Sequence, residues 1–304
     1  MQQWPDDCVD MVFCSPPYEA ARTYGINFKL KEQEWVDWAV VGFLECLRVT
    51  KGMVCWVVEG RTKNYRYTAT PLLFAADLHR AGVHLRKPPI YQRNGIPGNG
   101  GPDWLRNDYE FIICGSKGGK LPWSDNTTMG HPPKRAPGGE MSYRLSNGAR
   151  VNQWGGTSER KKAERKQDGS RGKSYRPSHI ICTKVGTPRR PNGSREKQSY
   201  VSPVKANPGN VIHCKVGGGL MGHNLAHENE APFAEKLVEF FIKSFCKPCG
   251  IVCDPFSGSG TTAAVALKNR RNFIGIDIRQ TQVDLAYRRL ETICDSFIKE
   301  QENL

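Results

Sequence analysis

Two stretches of this chain carry residue types whose spacing could do chemistry. The first, Ile251-Val252-Cys253-Asp254-Pro255-Phe256-Ser257-Gly258-Ser259-Gly260-Thr261-Thr262, reads as a buried strand that runs into a glycine-bearing turn and the first turn of a helix. Glycines let the backbone approach a ligand closely, and the amides of a helix start donate to a carboxylate. The segment Phe273-Ile274-Gly275-Ile276-Asp277-Ile278 reads as the next strand, and Asp277 stands seventeen positions after Gly260. A carboxylate there can accept hydrogen bonds from both hydroxyls of a ribose. A nucleoside ligand follows from the pair. The turn itself has neither the Gly-Lys-Ser/Thr of a phosphate loop nor the Gly-x-Gly-x-x-Gly of a dinucleotide site.

The second stretch is Ser15-Pro16-Pro17-Tyr18, directly after the apolar run Val9 to Cys14. Prolines fix φ and give up their amide donors, which leaves carbonyls pointing outward in a stiff arc, and Tyr18 adds a flat face. A planar base with an exocyclic amine matches that surface. The Pro16 carbonyl and the Ser15 hydroxyl can accept its two N–H bonds while Tyr18 stacks on the ring.

Both loops need a frame. Apolar strands are expected at 9–14, 53–58, 85–92, 109–114, 251–254 and 273–278. Helices are expected at 34–48 (through Trp35, Trp38, Val41, Leu44 and Leu47), 70–81, 234–245, 261–268 and 280–293, the last with Leu285 and Leu290 inward. Strands alternating with helices give an α/β fold with a doubly wound, mainly parallel sheet. In such a sheet ligands bind beyond the carboxyl ends of the strands, so both loops are expected to face one cleft.

The chain has 304 residues, with 44 Lys+Arg against 30 Asp+Glu, a formal charge of +14. Residues 115–205 alone hold 20 Lys+Arg and 6 Asp+Glu, so the remaining residues sum to zero. That middle segment has little apolar periodicity and reads as a loop-rich basic insertion. Its charge suits displacement of counterions from a polyanion, with Tyr143, Trp154 and Tyr175 available to stack on bases. The densest cations are Arg160, Lys161, Lys162, Arg165, Lys166, Arg171, Lys173 and Arg176. Three regions follow: 1–114, the insertion 115–209, and 210–304. No run approaches the ~18 uninterrupted apolar residues of a spanning helix, and the first residues lack the basic flank and apolar run of a signal peptide, which points to the cytoplasm. Eleven cysteines include only one Cys-x-x-Cys, Cys246 and Cys249, half of a zinc set, so no metal is expected.

The two loops resemble those of the DNA amino-methyltransferases: a Ser/Asn/Asp-Pro-Pro-Tyr/Phe catalytic loop and a Phe-x-Gly-x-Gly loop for S-adenosylmethionine. Their order here, catalytic loop, basic insertion, cofactor loop, is that of the family's β group. The resemblance spans nearly the whole chain and implies a circularly permuted Rossmann-like methyltransferase fold. Leu47 to Met53, Asn107 to Ile112 and Glu230 to Leu237 match lesser family segments, the last being the helix start that closes over the methionine end of the cofactor. The resemblance assigns catalysis to Ser15, Pro16, Pro17 and Tyr18. It assigns the cofactor to Asp254, Phe256, Ser257, Gly258, Ser259, Gly260, Thr261, Thr262, Asp277, Pro232 and Phe233, and double-stranded DNA to the insertion. A leading Ser in the catalytic loop goes with methylation of the cytosine 4-amino group in a flipped-out base, within restriction-modification or a phage, with a cognate endonuclease as possible partner. The alternatives are the adenine 6-amino group and a catalytically weakened DNA-binding relative. Two departures stand out: Asp277 replaces the usual Glu, and only eight residues precede Val9, where the family carries a further strand and acid.

Overall fold

The computed structural model describes residues 1–19, 26–94, 103–132, 140–144, 150–154, 205–216, 222–229, 232 and 234–302. In chain order its elements are β1 (Val9–Cys14), α1 (Glu32–Val49), β2 (Thr50–Val58), β3 (Thr62–Lys63), β4 (Arg66–Tyr67), α2 (Thr70–Arg80), β5 (His84–Leu85), β6 (Ile90–Asn94), β7 (Tyr109–Ser116), β8 (Glu140–Arg144) and β9 (Arg150–Trp154). There follow β10 (Val211–Lys215), a 3-10 turn (Asn224–Glu228), α3 (Glu235–Phe245), β11 (Ile251–Asp254), α4 (Thr261–Lys268), β12 (Asn272–Gly275) and α5 (Gln280–Glu302). The chain divides into two compact units, Met1–Met129 with Asn207–Leu304, and Gly130–Ala206.

The larger unit holds an eight-stranded sheet in the order β10-β6-β7-β2-β1-β11-β12, with β5 also paired to β7. β1 is parallel to both β2 and β11, and β11 is parallel to β12, whereas β7 is antiparallel to β2, β5 and β6. Within this sheet β7 alone runs backwards, so the mainly parallel sheet expected from the sequence is present. From β1 the chain moves through α1 to β2 on one side, and from β11 through α4 to β12 on the other. The reversal point is therefore the β1–β11 pair, the crevice where open α/β sheets bind ligands. Met11 lies opposite Val252 and Val12 opposite Cys253, so Ser15 and Pro255 leave the sheet side by side at the same edge.

β1 is apolar on both faces because both are covered. Val12 and Cys14 pack with Trp35, Phe43 and Cys46 of α1 and with Phe74 of α2. Met11 and Phe13 pack with Leu237, Phe241 and Ile242 of α3. Phe13 meets Phe241 with ring centroids 5.1 Å apart, and truncating such a buried ring costs about 3–5 kcal/mol. Asp10 ties the pair further: its Oδ2 accepts the Ile251 amide at 2.9 Å and its Oδ1 meets Lys247 at 3.0 Å.

Several sequence expectations need correction. The strand expected over 85–92 is two pieces, β5 and β6, because Pro88 and Pro89 cannot donate to the ladder. The strand expected over 273–278 ends at Gly275: its partner β11 ends at Asp254, and Pro255 has no amide to continue the pairing. In α1 the buried face is Trp35, Val36, Ala39, Phe43, Cys46 and Val49, while Val41 is 70% exposed. A strict three-residue stripe falls short of the turn of about 3.6 residues and slips round the helix to the surface. α5 continues nine residues past the expected Ile293, to Glu302.

The smaller unit contains a hairpin the sequence reading did not anticipate. β8 and β9 pair antiparallel with Glu140 opposite Trp154 and Tyr143 opposite Val151, and His131 bridges to Ala206. Among the described residues no helix is long and apolar enough to cross a membrane, and no group of metal-ligating side chains is found.

Candidate active site

Ser15 to Tyr18 emerge from β1 and are held by α1 and β7. The Trp35 indole donates to the Pro17 carbonyl at 2.9 Å, which fixes the proline arc to the first turn of α1. Beyond the loop, Glu19 is buried, and its Oε1 accepts the amide of Glu32, the first residue of α1, at 3.0 Å. Ser15 donates its hydroxyl to the Tyr18 oxygen at 3.3 Å, and Tyr18 donates to Glu110 Oε2 at 2.7 Å. Glu110 is 7% exposed and pairs through Oε1 with Arg93 at 2.7 Å. The reversed direction of β7 makes this possible, since it brings the beginning of that strand to the edge where β1 ends. Each hydroxyl proton in the chain is already committed, so the lone pairs of Ser15 Oγ remain to accept.

Beside this relay, at the end of β2, lies Glu59. Its Oε1 accepts the Gly60 amide and the Tyr67 hydroxyl, each at 2.9 Å, while Oε2 is buried with no hydrogen-bond partner among the described residues. Burial pushes the Glu59 carboxyl up to about 7, opposed by the Gly60 and Tyr67 bonds. The charge of Glu110 adds to the rise and that of Arg93 opposes it. An acid that titrates near neutrality at a cleft edge can hold or take up a proton.

The glycine turn is stapled from within. Asp254 is buried: its Oδ1 accepts the Phe256 amide at 3.0 Å and its Oδ2 the Thr262 hydroxyl at 2.6 Å. Burial raises its carboxyl to about 7 against the pull of those two bonds, with the charge of Asp277 adding to the rise. Gly260 starts α4 with φ 73°, and a Cβ there would stand 2.8 Å from the Ala286 side chain, so the position requires glycine. Phe256 turns inward over β1 and meets Trp38 at 5.8 Å and Trp56 at 5.5 Å. Through Trp35 and Trp38, one helix therefore references both loops.

Asp277 follows the end of β12. Its Oδ2 accepts the Gly258 amide at 3.0 Å and its Oδ1 the Arg279 amide at 2.9 Å. A cavity at this place is lined by Ser257, Gly258, Gly275, Asp277, Tyr287 and Leu290, among others. An acid bonded to a turn of backbone amides, with no lysine in the turn, fits a nucleoside with a diol rather than a polyphosphate.

A second anchor sits behind the turn. Arg289 of α5 is fully buried. It donates to the Thr261 hydroxyl at 2.9 Å and the Ser259 carbonyl at 3.2 Å, and it pairs with Glu235, the first residue of α3, at 2.6 Å. Lys268 binds the other Glu235 oxygen at 2.7 Å. Burial works against ionisation of Glu235, but the Lys268 and Arg289 bonds outweigh it and hold the carboxyl below its usual range.

The structure thus brings Ser15, Pro16, Pro17 and Tyr18 to one edge with Asp254, Phe256, Ser257, Gly258, Ser259, Gly260, Thr261, Thr262 and Asp277. Pro232 precedes α3. Phe233, Tyr175 and the cations Arg160, Lys161, Lys162, Arg165, Lys166, Arg171, Lys173 and Arg176 lie outside the described residues. Sequence reasoning gave no role to Trp35, Glu59, Arg93, Glu110 or Arg289. Of these, Glu59 had a legible signal, an acid ending an apolar strand as Asp277 does.

Comparison with known proteins agrees with this arrangement. The family profile described as DNA methylase matches residues 9–288. An orphan methyltransferase of Bacillus amyloliquefaciens, M.BamHII, is 28% identical over 294 residues, covering 94% of this chain and 90% of its own. The DNA adenine methyltransferase YhdJ of Escherichia coli K12 is 24% identical, covering 96% of this chain and 79% of its own. Among solved structures, the cytosine-N4-specific PvuII DNA methyltransferase is similar in fold, with a TM-score of 0.58 at 15% identity over 95% of this chain and 81% of that one. A DNA modification methylase of Thermus thermophilus, TTHA0409, solved in complex with S-adenosyl-L-methionine, has a TM-score of 0.51 at 18% identity over 95% and 87%.

Proposed function

The chain belongs to the DNA methylase family, and from that premise we propose that it moves a methyl group from S-adenosylmethionine to the 4-amino group of a cytosine extruded from duplex DNA. The observation that carries the reading is the directed relay from Ser15 through Tyr18 to Glu110, which leaves Ser15 Oγ an acceptor at the edge shared with the glycine turn. An amino group conjugated to a ring is a poor nucleophile. Acceptors on its two N–H bonds, held by a stiff loop, bias the nitrogen toward tetrahedral geometry.

In this reading Ser15 Oγ and the Pro16 carbonyl accept the two N–H bonds. The Pro17 carbonyl is already taken by Trp35. Tyr18 stacks on the base, its ring angle set by Glu110. Asp277 receives the ribose hydroxyls, and the amides from Gly258 to Thr262 take the cofactor's carboxylate. Phe256 keeps the turn seated on α1, and Asp254 keeps its shape. Pro232 and Phe233 lie at the segment that closes over the methionine end. The cofactor supplies a methyl carried on a sulfonium and so already activated. The amine's proton leaves through Ser15 to water. The insertion, with Arg160, Lys161, Lys162, Arg165, Lys166, Arg171, Lys173 and Arg176, binds the phosphates that offset the few kcal/mol of extruding the base. A cognate restriction endonuclease and a cytoplasmic site of action go with this role.

Methylation of the adenine 6-amino group is the second reading, favoured by the full-length similarity to YhdJ. Incubating the chain with methyl-labelled S-adenosylmethionine and mixed-sequence duplex, then separating the nucleosides by mass spectrometry, tests both. N4-methylcytosine is expected. N6-methyladenine would overturn the base assignment, and label absent from DNA would overturn the activity.

A further inference from the structure

Immediately after Glu59 the chain makes a small hairpin that the site described above does not use. Thr62 pairs with Tyr67 and Lys63 with Arg66, which leaves Asn64 and Tyr65 as a two-residue turn with φ of 50° and 62°. Positive φ at both positions is the turn that suits right-twisted hairpins, and glycine is the usual second residue. Here that place is held by a tyrosine that is 80% exposed. The ring therefore costs backbone strain and is buried against nothing in return.

The hairpin is stiff at its foot and basic along its length. Tyr67 donates to Glu59 at 2.9 Å, Thr68 donates its amide to the Arg61 carbonyl at 2.9 Å, and Arg61 donates its amide to the Thr68 hydroxyl at 3.0 Å. A side chain at Gly60 would collide with the Tyr67 ring at 2.6 Å, so the glycine lets the ring close down on the backbone. From Gly60 to Ala69 there are three cations, Arg61, Lys63 and Arg66, and no acid. Arg66 is largely exposed and reaches Glu32 only at 3.6 Å. The foot stands at the carboxyl end of β2, next in the sheet to the strand that delivers Ser15 to Tyr18. Glu59, which anchors it, feels the charges of Glu110 and Arg93, the groups that orient Tyr18. A stiff, cationic finger with an aromatic at its tip thus rises at the rim of the pocket. Cations that displace counterions and a ring that stacks on bases are the two parts of a nucleic-acid contact.

We propose that the β3–β4 hairpin docks on the duplex beside the pocket and that Tyr65 enters the base stack at the place the extruded base vacates. The inference rests on the DNA methyltransfer proposed above and adds an element of DNA engagement outside the basic insertion. The full-length chain and its Tyr65→Ala, Tyr65→Phe and Lys63→Ala/Arg66→Ala variants test it in two arms. In the first, duplex affinity is measured by fluorescence anisotropy across a salt series, which needs no turnover. The double variant is expected to flatten the slope of log affinity against log salt by about 2, one per cation lost. In the second, label transfer is measured on duplexes carrying the mapped site, with the target base either paired or opposite an abasic position. Tyr65→Ala is expected to lower kcat/KM on the paired duplex roughly 5- to 150-fold, the range of one base–aromatic stack. Tyr65→Phe should stay near wild type, the Ala defect should shrink opposite the abasic position, and cofactor binding should not move. An unchanged salt slope, or label transfer by Tyr65→Ala equal to wild type, would overturn the proposal. Label absent from DNA with wild-type protein, while the salt slope still flattens in the double variant, would overturn the activity reading and leave the docking surface standing.

Discussion

Replacing Tyr18 by Phe separates the stacking ring from the bond that orients it. The hydroxyl donates to Glu110 at 2.7 Å and accepts from Ser15 at 3.3 Å, and the acceptor is a carboxylate already paired with Arg93. Hydrogen bonds to charged groups contribute about 1.5–3 kcal/mol. Little of this should appear in cofactor binding, because Asp277 and the glycine turn are held by separate contacts. If the relay serves to hold the ring and to leave Ser15 an acceptor, the loss falls on the transition state. The rate constant in single turnover should drop roughly 10- to 150-fold. Tyr18→Ala, which removes the ring as well, should abolish transfer. Glu110→Gln keeps an acceptor for Tyr18 but strands Arg93, so it should slow transfer and also lower stability. In the double variant Tyr18→Phe/Glu110→Gln the rate losses should be far from additive, since both act on one bond. Rapid-quench transfer of labelled methyl under saturating cofactor and DNA reads the chemical step. Additive losses, or a Tyr18→Phe rate equal to wild type, would refute the relay.

Glu59→Gln tests the buried acid through pH. With the folded carboxyl raised from 4.5 to about 7, the unfolded chain gives up its proton first as pH rises, so wild type loses stability between those values. Gln keeps the Gly60 bond without ionising, so the variant should gain on wild type from pH 5 to 8, by up to about 3 kcal/mol in urea denaturation. Asp277→Asn should weaken S-adenosylmethionine binding in calorimetry by roughly 10-fold or more, with the melting temperature little changed. Arg289→Met should cost about 3–5 kcal/mol of stability, because Glu235 keeps only one of its two cations; equal denaturation midpoints would show that the buried guanidinium does not hold the turn.

What could be read from the chain before its structure was whatever depends on neighbours in sequence. The apolar runs of β1 and β11, each ending in a loop of special residues, identify two strand-to-loop junctions, and Asp277 follows the next strand as expected. Adjacency of those strands is a matter of pairing across more than two hundred residues, which local pattern does not encode. Tyr18 and Glu110 are 92 positions apart and Glu235 and Arg289 are 54 apart, so neither bond has a spacing signature. The inward face of α1 was misjudged because Val41 and Leu44 are apolar yet exposed, and apolar residues are common on folded surfaces. The β3–β4 hairpin was illegible for a different reason: its turn is made by Asn64 and Tyr65 with positive φ at both, without the glycine that normally announces it.

The central claim is that the Ser15–Tyr18 loop and the glycine turn serve one reaction in one crevice. A crystal structure of the chain with a non-reactive analogue of S-adenosylmethionine and a duplex carrying its site tests this most directly. The account expects the target base on the Tyr18 ring, its amino nitrogen between Ser15 Oγ and the Pro16 carbonyl. That nitrogen should lie roughly 3–3.5 Å from the position of the transferable methyl, in line with the bond that breaks. A base bound elsewhere, or a cofactor seated on Asp277 with its methyl end turned away from Tyr18, would contradict it.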